Sequence, residues 1–183
     1  MRIKAVDRPM VEANIELWLT ERGKIVPGSR REGHNVWTLT GREYLAQIMS
    51  PALGWSGRPG KVNYMGVGEG SQPEVASVDQ LAAGLLYTPG AYLKAITGVI
   101  FPTSPATSAA FTIEFTELEI NDGLAPKEVR EIGLFTSDTW SGGVLVPMPT
   151  STPNQAPVAY KTFEPLTKTE QFRLSVRWEV RFR

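Results

Sequence analysis

The chain has no cysteine. Disulfides, thiolate metal sites and cysteine nucleophiles are excluded at once, and no oxidising compartment is required. It has a single histidine, His34. A serine–histidine–carboxylate relay or an imidazole-rich metal site therefore has almost nothing to draw on, and any metal site would be built from carboxylates. It has no surplus of either sign, since 19 basic residues balance 19 acidic ones. Non-specific nucleic-acid binding is disfavoured by that balance, and many copies can pack closely without strong self-repulsion. No apolar run approaches the roughly 18 residues of a membrane span. The stretch from Met1 to Asp7 carries no signal-peptide apolar region. The expectation is a protein made in a cytosol, with no membrane partner and no specific nucleic-acid partner.

What is present is alternation. From Phe172 to Phe182 every second residue is apolar: Phe172, Leu174, Val176, Trp178, Val180 and Phe182. Arg173, Ser175, Arg177, Glu179, Arg181 and Arg183 stand between and after them. Successive strand residues point to opposite faces, so one face is an apolar wall and the other is mostly guanidinium. Trp178 belongs to the wall. Ala13, Ile15, Leu17 and Leu19 alternate in the same way with Asn14, Glu16, Trp18 and Thr20, and Phe111, Ile113 and Phe115 with Thr112 and Glu114. The apolar phase slips after Phe115 to Leu118 and Ile120, which predicts a bulge near Thr116–Glu117. Further strands are expected at 34–39, 62–67, 91–101, 129–135, 144–148 and 158–163.

Helix signals are few. Thr40-Gly41-Arg42-Glu43 has the spacing of a capping box and predicts a helix near 41–49, ended by Pro51. Ser77-Val78-Asp79-Gln80 is a second such box and predicts a short helix through 81–85. The fold class expected is mainly β: a β-sandwich or barrel-like antiparallel domain with one or two short helices and extended arms. Residues 1–29 read as an N-terminal arm or hairpin. Residues 30–183 read as a single β-sandwich domain with a proline-rich loop at 147–157, where four prolines fall.

Three constellations invite a chemical reading. Gly66-x-Gly68-x-Gly70-Ser71 follows a strand, as a phosphate cradle does, yet it lacks both the third glycine of a dinucleotide fingerprint and the lysine of a P-loop. It reads as a strand ending in a turn with positive-φ glycines. Glu114, Glu117 and Glu119 are close enough in sequence to suggest a glycosidase pair, but Glu114 lies on the solvated side of its strand. Trp55 and Trp140, set among glycine and serine, are candidate exposed aromatics for a sugar ring. No catalytic, cofactor or metal residue is assigned. Trp18 and the row Arg173, Arg177, Arg181 and Arg183 are the candidate assembly contacts. That row either meets its own cross-strand carboxylates or pairs with an acidic neighbour.

The order of motifs carries a resemblance. His34-Asn35 leads through Gly41-Arg42 to Leu45-Ala46. Asn63-Tyr64-Met65-Gly66-Val67-Gly68-Glu69-Gly70 follows, then Leu81-Ala82, then Glu128-Val129-Arg130-Glu131-Ile132-Gly133-Leu134-Phe135, and last the terminal strand with Trp178, Val180 and Phe182. Over residues 30–183 this resembles a loose group of virion structural proteins of tailed bacteriophages. The resemblance implies a non-enzymatic capsid decoration, cement, neck or tail component, located in the virion and bound to copies of itself and to other virion proteins. It brings no catalytic residues and no cofactor. The alternative is a glycan-binding adhesin module at the tail tip, using Trp55 and Trp140.

Overall fold

A computed structural model describes residues 11–42, 45, 62–85, 93–101, 107–120, 125–136 and 156–182. Among them run eleven strands. They are β1 (Val11–Glu21), β2 (Lys24–Ile25), β3 (Arg31–His34), β4 (Val36–Trp37), β5 (Val62–Gly68), β6 (Leu93–Ala95), β7 (Gly98–Ile100), β8 (Ser108–Phe115), β9 (Lys127–Thr136), β10 (Ala159–Lys168) and β11 (Arg173–Phe182). They form two antiparallel sheets packed against each other, mainly β as expected, and no closed barrel. The first sheet has the order β2-β1-β11-β8-β7, with β3 also paired to β1; the second has the order β4-β10-β9-β5-β6.

The terminal alternation does what its period dictates. β11 lies between β1 and β8, with Trp178 opposite Ile15 on one side and Phe111 on the other. Leu174, Val176, Trp178 and Val180 are buried, as are Ala13, Ile15, Leu17 and Leu19 across from them. These side chains meet Met65, Val67, Ile132, Leu134 and Leu166 of the second sheet in one core. Phe182, at the end of the wall, is exposed.

The hairpin expected within 1–29 is present over its described part. Arg22 (φ 50) and Gly23 (φ 78) both take positive φ, the geometry of a two-residue turn that suits strand twist. Ser29 Oγ accepts from the Leu19 amide and donates to the Val26 carbonyl, closing the hairpin. This hairpin is no appendage, because β1 supplies core residues and sits beside the terminal strand. Residues 1–10 of the expected arm lie outside the described residues. So do 147–155 of the proline-rich loop and the strand expected at 144–148.

Local expectations are corrected in five places. The stretch read as one strand at 91–101 is two. β6 pairs with β5 in the second sheet and β7 with β8 in the first, so the chain crosses between sheets at Ile96–Thr97. β3 and β4 cross likewise at Asn35. The helix expected over 41–49 starts two residues earlier, at 39, and is helical at 39–42 and 45; residues 43–44 and 46–49 lie outside the described residues. The helix's N-terminal amide, Gly41, is capped by Thr38 Oγ1, which donates in turn to the Pro157 carbonyl. The bulge expected at Thr116–Glu117 is the end of β8: residues 117–120 turn, Leu118 is exposed, and Ile120 is buried at φ 80. Residues 81–85 form no helix.

Candidate functional site

The segment from Glu69 to Leu85 folds over the outer face of the second sheet. Val78 and Leu81 of this segment pack on Tyr64, Leu93, Phe135 and Tyr160, a second apolar cluster on the side away from the main core. The second sheet is therefore covered on both faces, and β5 and β9 are buried almost throughout.

Glu131 holds this segment down. It is fully buried in β9. Its Oε1 accepts from the amides of Ala83 (2.8 Å) and Gly70 (3.2 Å). Its Oε2 accepts from the Ala82 amide (3.0 Å) and the Tyr160 hydroxyl (2.8 Å). Four donors thus converge on one carboxylate, the arrangement that makes a buried charge tolerable. Burial, and next the adjacent Glu131 carboxylate, push the Tyr160 phenol well above its ordinary pKa. The amides that a helix at 81–85 would have used are taken by Glu131, and the Leu85 amide donates to the Val67 carbonyl. Tertiary acceptors win over the local capping signal.

The glycine motif serves this carboxylate, and the expected positive-φ turn is corrected. Among the described residues only Gly23 and Gly28 are glycines of positive φ. Gly68 and Gly70 are needed for room: a Cβ on Gly68 would lie 2.6 Å from the Ala83 carbonyl oxygen, and one on Gly70 2.9 Å from the Ala83 nitrogen, both also colliding with Glu131. Gly66 and Gly133 are cross-strand neighbours that leave a trough for the Phe135 ring, with Leu93 and Leu81 against it. The converging amides form an anion nest. Its occupant is the protein's own Glu131, so no phosphate is called for.

A second carboxylate fastens the same segment from the other direction. Glu74 accepts from Lys161 Nζ (2.7 Å), the Thr162 amide (3.0 Å) and Thr162 Oγ1 (2.7 Å) on β10. Burial works to raise the Glu74 pKa, but the bonds from Lys161 and Thr162 and the lysine's charge hold it below the usual range.

The outer face of the first sheet carries the candidate assembly residues. Trp18 is half-buried there, opposite Ser175. Arg173 binds Glu114 (3.0 Å) and Glu117 (2.7 Å). Arg177 and Arg181 grip Glu179 from either side at 3.0 and 2.8 Å, and Glu16 lies 3.9 Å from Arg177. The Arg181 bond depresses the Glu179 pKa most; burial opposes it, and the charges of both arginines and the Arg177 bond add to the lowering. The row therefore meets carboxylates of its own sheet, one of the two readings left open above. Arg183, Trp55 and Trp140 lie outside the described residues.

Two cations from the second sheet and one from the first close the end of β8. Lys94 pairs with Glu119, Arg173 with Glu117, and the fully buried Lys168 donates to the carbonyls of Glu117 (3.0 Å) and Thr169 (2.9 Å). The three glutamates weighed as a catalytic pair are thus engaged: Glu114 and Glu117 hold Arg173, and Glu119 also accepts from the Thr116 amide. His34 is exposed on β3. No group of three or more metal-ligating side chains occurs among the described residues. Sequence reading missed the roles of Glu131 and Lys168. The signal for Glu131 was a lone carboxylate inside the apolar run from Val129 to Phe135, which has to find buried donors. No protein family, curated protein or solved structure matches the chain.

Proposed function

We propose that the chain is a non-enzymatic structural subunit of a tailed-phage virion, a capsid decoration, cement, neck or tail component that binds copies of itself and other virion proteins. One observation carries the reading. The motif residues behind the resemblance are spent on the fold: Gly66, Gly68, Gly70, Ala82, Glu131, Gly133 and Phe135 form one fastening unit on the second sheet. Motifs of this kind preserve a shape and perform no reaction, as expected of a subunit that acts by its surfaces. The ion pairs of the outer face support the same reading, because they leave the face that carries Trp18 nearly neutral.

Quantitative mass spectrometry of density-purified particles, from a phage encoding this chain, tests the proposal. The expected result is the chain at fixed stoichiometry with the major capsid or tail protein. Hundreds of copies would assign it to the capsid or tail tube, and a dozen or fewer to the neck or baseplate. Its absence from intact particles would overturn the reading.

A further inference from the structure

The edges of the two sheets are treated differently. An open edge offers unpaired amides and carbonyls to any passing strand, and proteins blunt such edges with charge, proline or side-chain caps. β10 is blunted along its length. Beyond its pairing with β4, the Thr162 amide donates to Glu74, the carbonyls of Glu164 and Pro165 accept from Arg31, and Pro165 has no amide hydrogen to offer. β6 carries Lys94, β2 carries Lys24, and β3 carries Arg31, Glu32 and His34.

β7 carries neither charge nor proline, and the side-chain bond it receives, from Thr112 Oγ1 to the Gly98 carbonyl (3.4 Å), leaves Val99 and Ile100 uncapped. It ends the first sheet, with no strand beyond it among the described residues. Val99 is 49%, Ile100 57% and the following Phe101 63% exposed. Val99 and Ile100 point to opposite faces, so both sides of the edge are apolar. The uncharged margin is two strands deep, because the β8 residues paired with Gly98, Val99 and Ile100 are Thr112, Phe111 and Ala110.

We infer that β7 is the edge through which two copies of this chain pair, antiparallel about a twofold axis, so that the first sheet runs through both subunits. The occupant is a second copy because the margin is compatible with itself. Bringing two such edges together opposes no like charges and buries no unpaired one, and a chain of zero net charge adds no long-range repulsion. A partner strand bearing charge would gain nothing from an edge that offers no counter-charge. Among the described residues the other uncharged edge, β4, is two residues long with both residues half-buried, so β7 meets its own counterpart, and the contact is isologous and closes at two. The pairing gives the self-association in the proposed function a location, and its test is separate. A chain absent from particles can still dimerise, and a monomeric chain can still be found in particles.

Sedimentation velocity of the full chain, from low to high micromolar concentration, is the experiment. The expected result is a concentration-dependent dimer. Ile100→Lys and Val99→Asp should each raise the dimer dissociation constant at least about tenfold while leaving the circular dichroism unchanged. Ile25→Lys is the control, at the same 57% exposure on β2, and should leave the dimer as it is. A wild type that stays monomeric, one that grows into open-ended oligomers, an Ile100→Lys chain that dimerises normally, or an Ile25→Lys chain weakened equally would each overturn the inference.

Discussion

Replacing Glu131 by glutamine changes no volume and removes one charge, which makes it the sharpest test of the fastening unit. The two oxygens each accept two hydrogen bonds, and three of the four donors are backbone amides that cannot turn away. A glutamine NH2 in the Oε1 position would face the amides of Gly70 and Ala83. In the Oε2 position it would face the Ala82 amide, while the Tyr160 hydroxyl can rotate to accept from it. The second arrangement is the better one, and it still leaves the Ala82 amide without an acceptor and strips the charge from the remaining bonds. Hydrogen bonds to a charged group contribute about 1.5–3 kcal/mol against about 0.5–1.5 for neutral ones, and an orphaned buried donor costs about 1–3 kcal/mol. Burying a neutral amide in place of a carboxylate returns part of this. The expected net loss is about 2–4 kcal/mol, or a fall in Tm of roughly 5–15 °C for a chain of this size. Urea unfolding followed by tryptophan fluorescence measures it, with an unchanged m-value. Glu128→Gln, exposed on the same strand, should cost under about 0.5 kcal/mol. If Glu131→Gln falls within about 0.5 kcal/mol of the wild type, the segment over the second sheet is held by its apolar contacts alone and the role given to the carboxylate is wrong.

Stability should rise with pH above neutrality. Burial lowers the Lys168 pKa from 10.5 to about 8 against the raising influence of Glu117 and Glu119, so between those values the unfolded chain binds more protons than the folded one. The gain is on the order of 1–3 kcal/mol. Tyr160, whose pKa is raised, opposes it above about pH 10. Unfolding free energies from pH 7.5 to 9.5 (about one titration step) should therefore climb, and in Lys168→Met they should stay flat; a wild type that is flat or falling would refute the assignment. Trp178→Ala should cost about 3–5 kcal/mol, the range for a large aromatic wholly removed from water. A loss under about 1 kcal/mol in denaturant titration would mean that the face it shares with Val176 and Val180 does not carry the core.

The two sheets differ in how far the sequence announces them. β1 and β11 face the core on one side and water on the other, so their residues alternate and their strands can be read directly. β5 and β9 are covered on both faces, by the first sheet and by the segment at 69–85. Their apolar residues run together, and alternation is lost. Glycine is ambiguous for a related reason. A single sequence does not distinguish a glycine that turns the chain from one that makes room, and Gly66, Gly68 and Gly133 are of the second kind. The misread helix at 81–85 shares their cause. The groups that redirect its amides, Glu131 and the Val67 carbonyl, come from strands far along the chain. The split of 91–101 between sheets has no compositional mark, because either half alone is an ordinary short strand.

The candidate assembly residues follow the same logic. The arginine row was legible as a face because alternation exposes faces, but its partners were not, since cross-strand pairing depends on which strand becomes the neighbour. Once β1 and β8 flank β11, Glu16, Glu114 and Glu117 are within reach, and the row becomes a network of pairs on its own sheet. Exposed pairs of this kind contribute little to stability individually. Their effect is to fix long side chains and to cancel the field that a bare arginine row would project. A partner attracted by charge alone therefore finds little on that face. What remains to be bound is apolar surface and backbone, and these coincide at β7, where Val99, Ile100 and Phe101 lie beside an open edge. With its charges paired on its own sheet, the arginine row offers a second copy little, and the inferred pairing through β7 rests on apolar surface and open backbone instead.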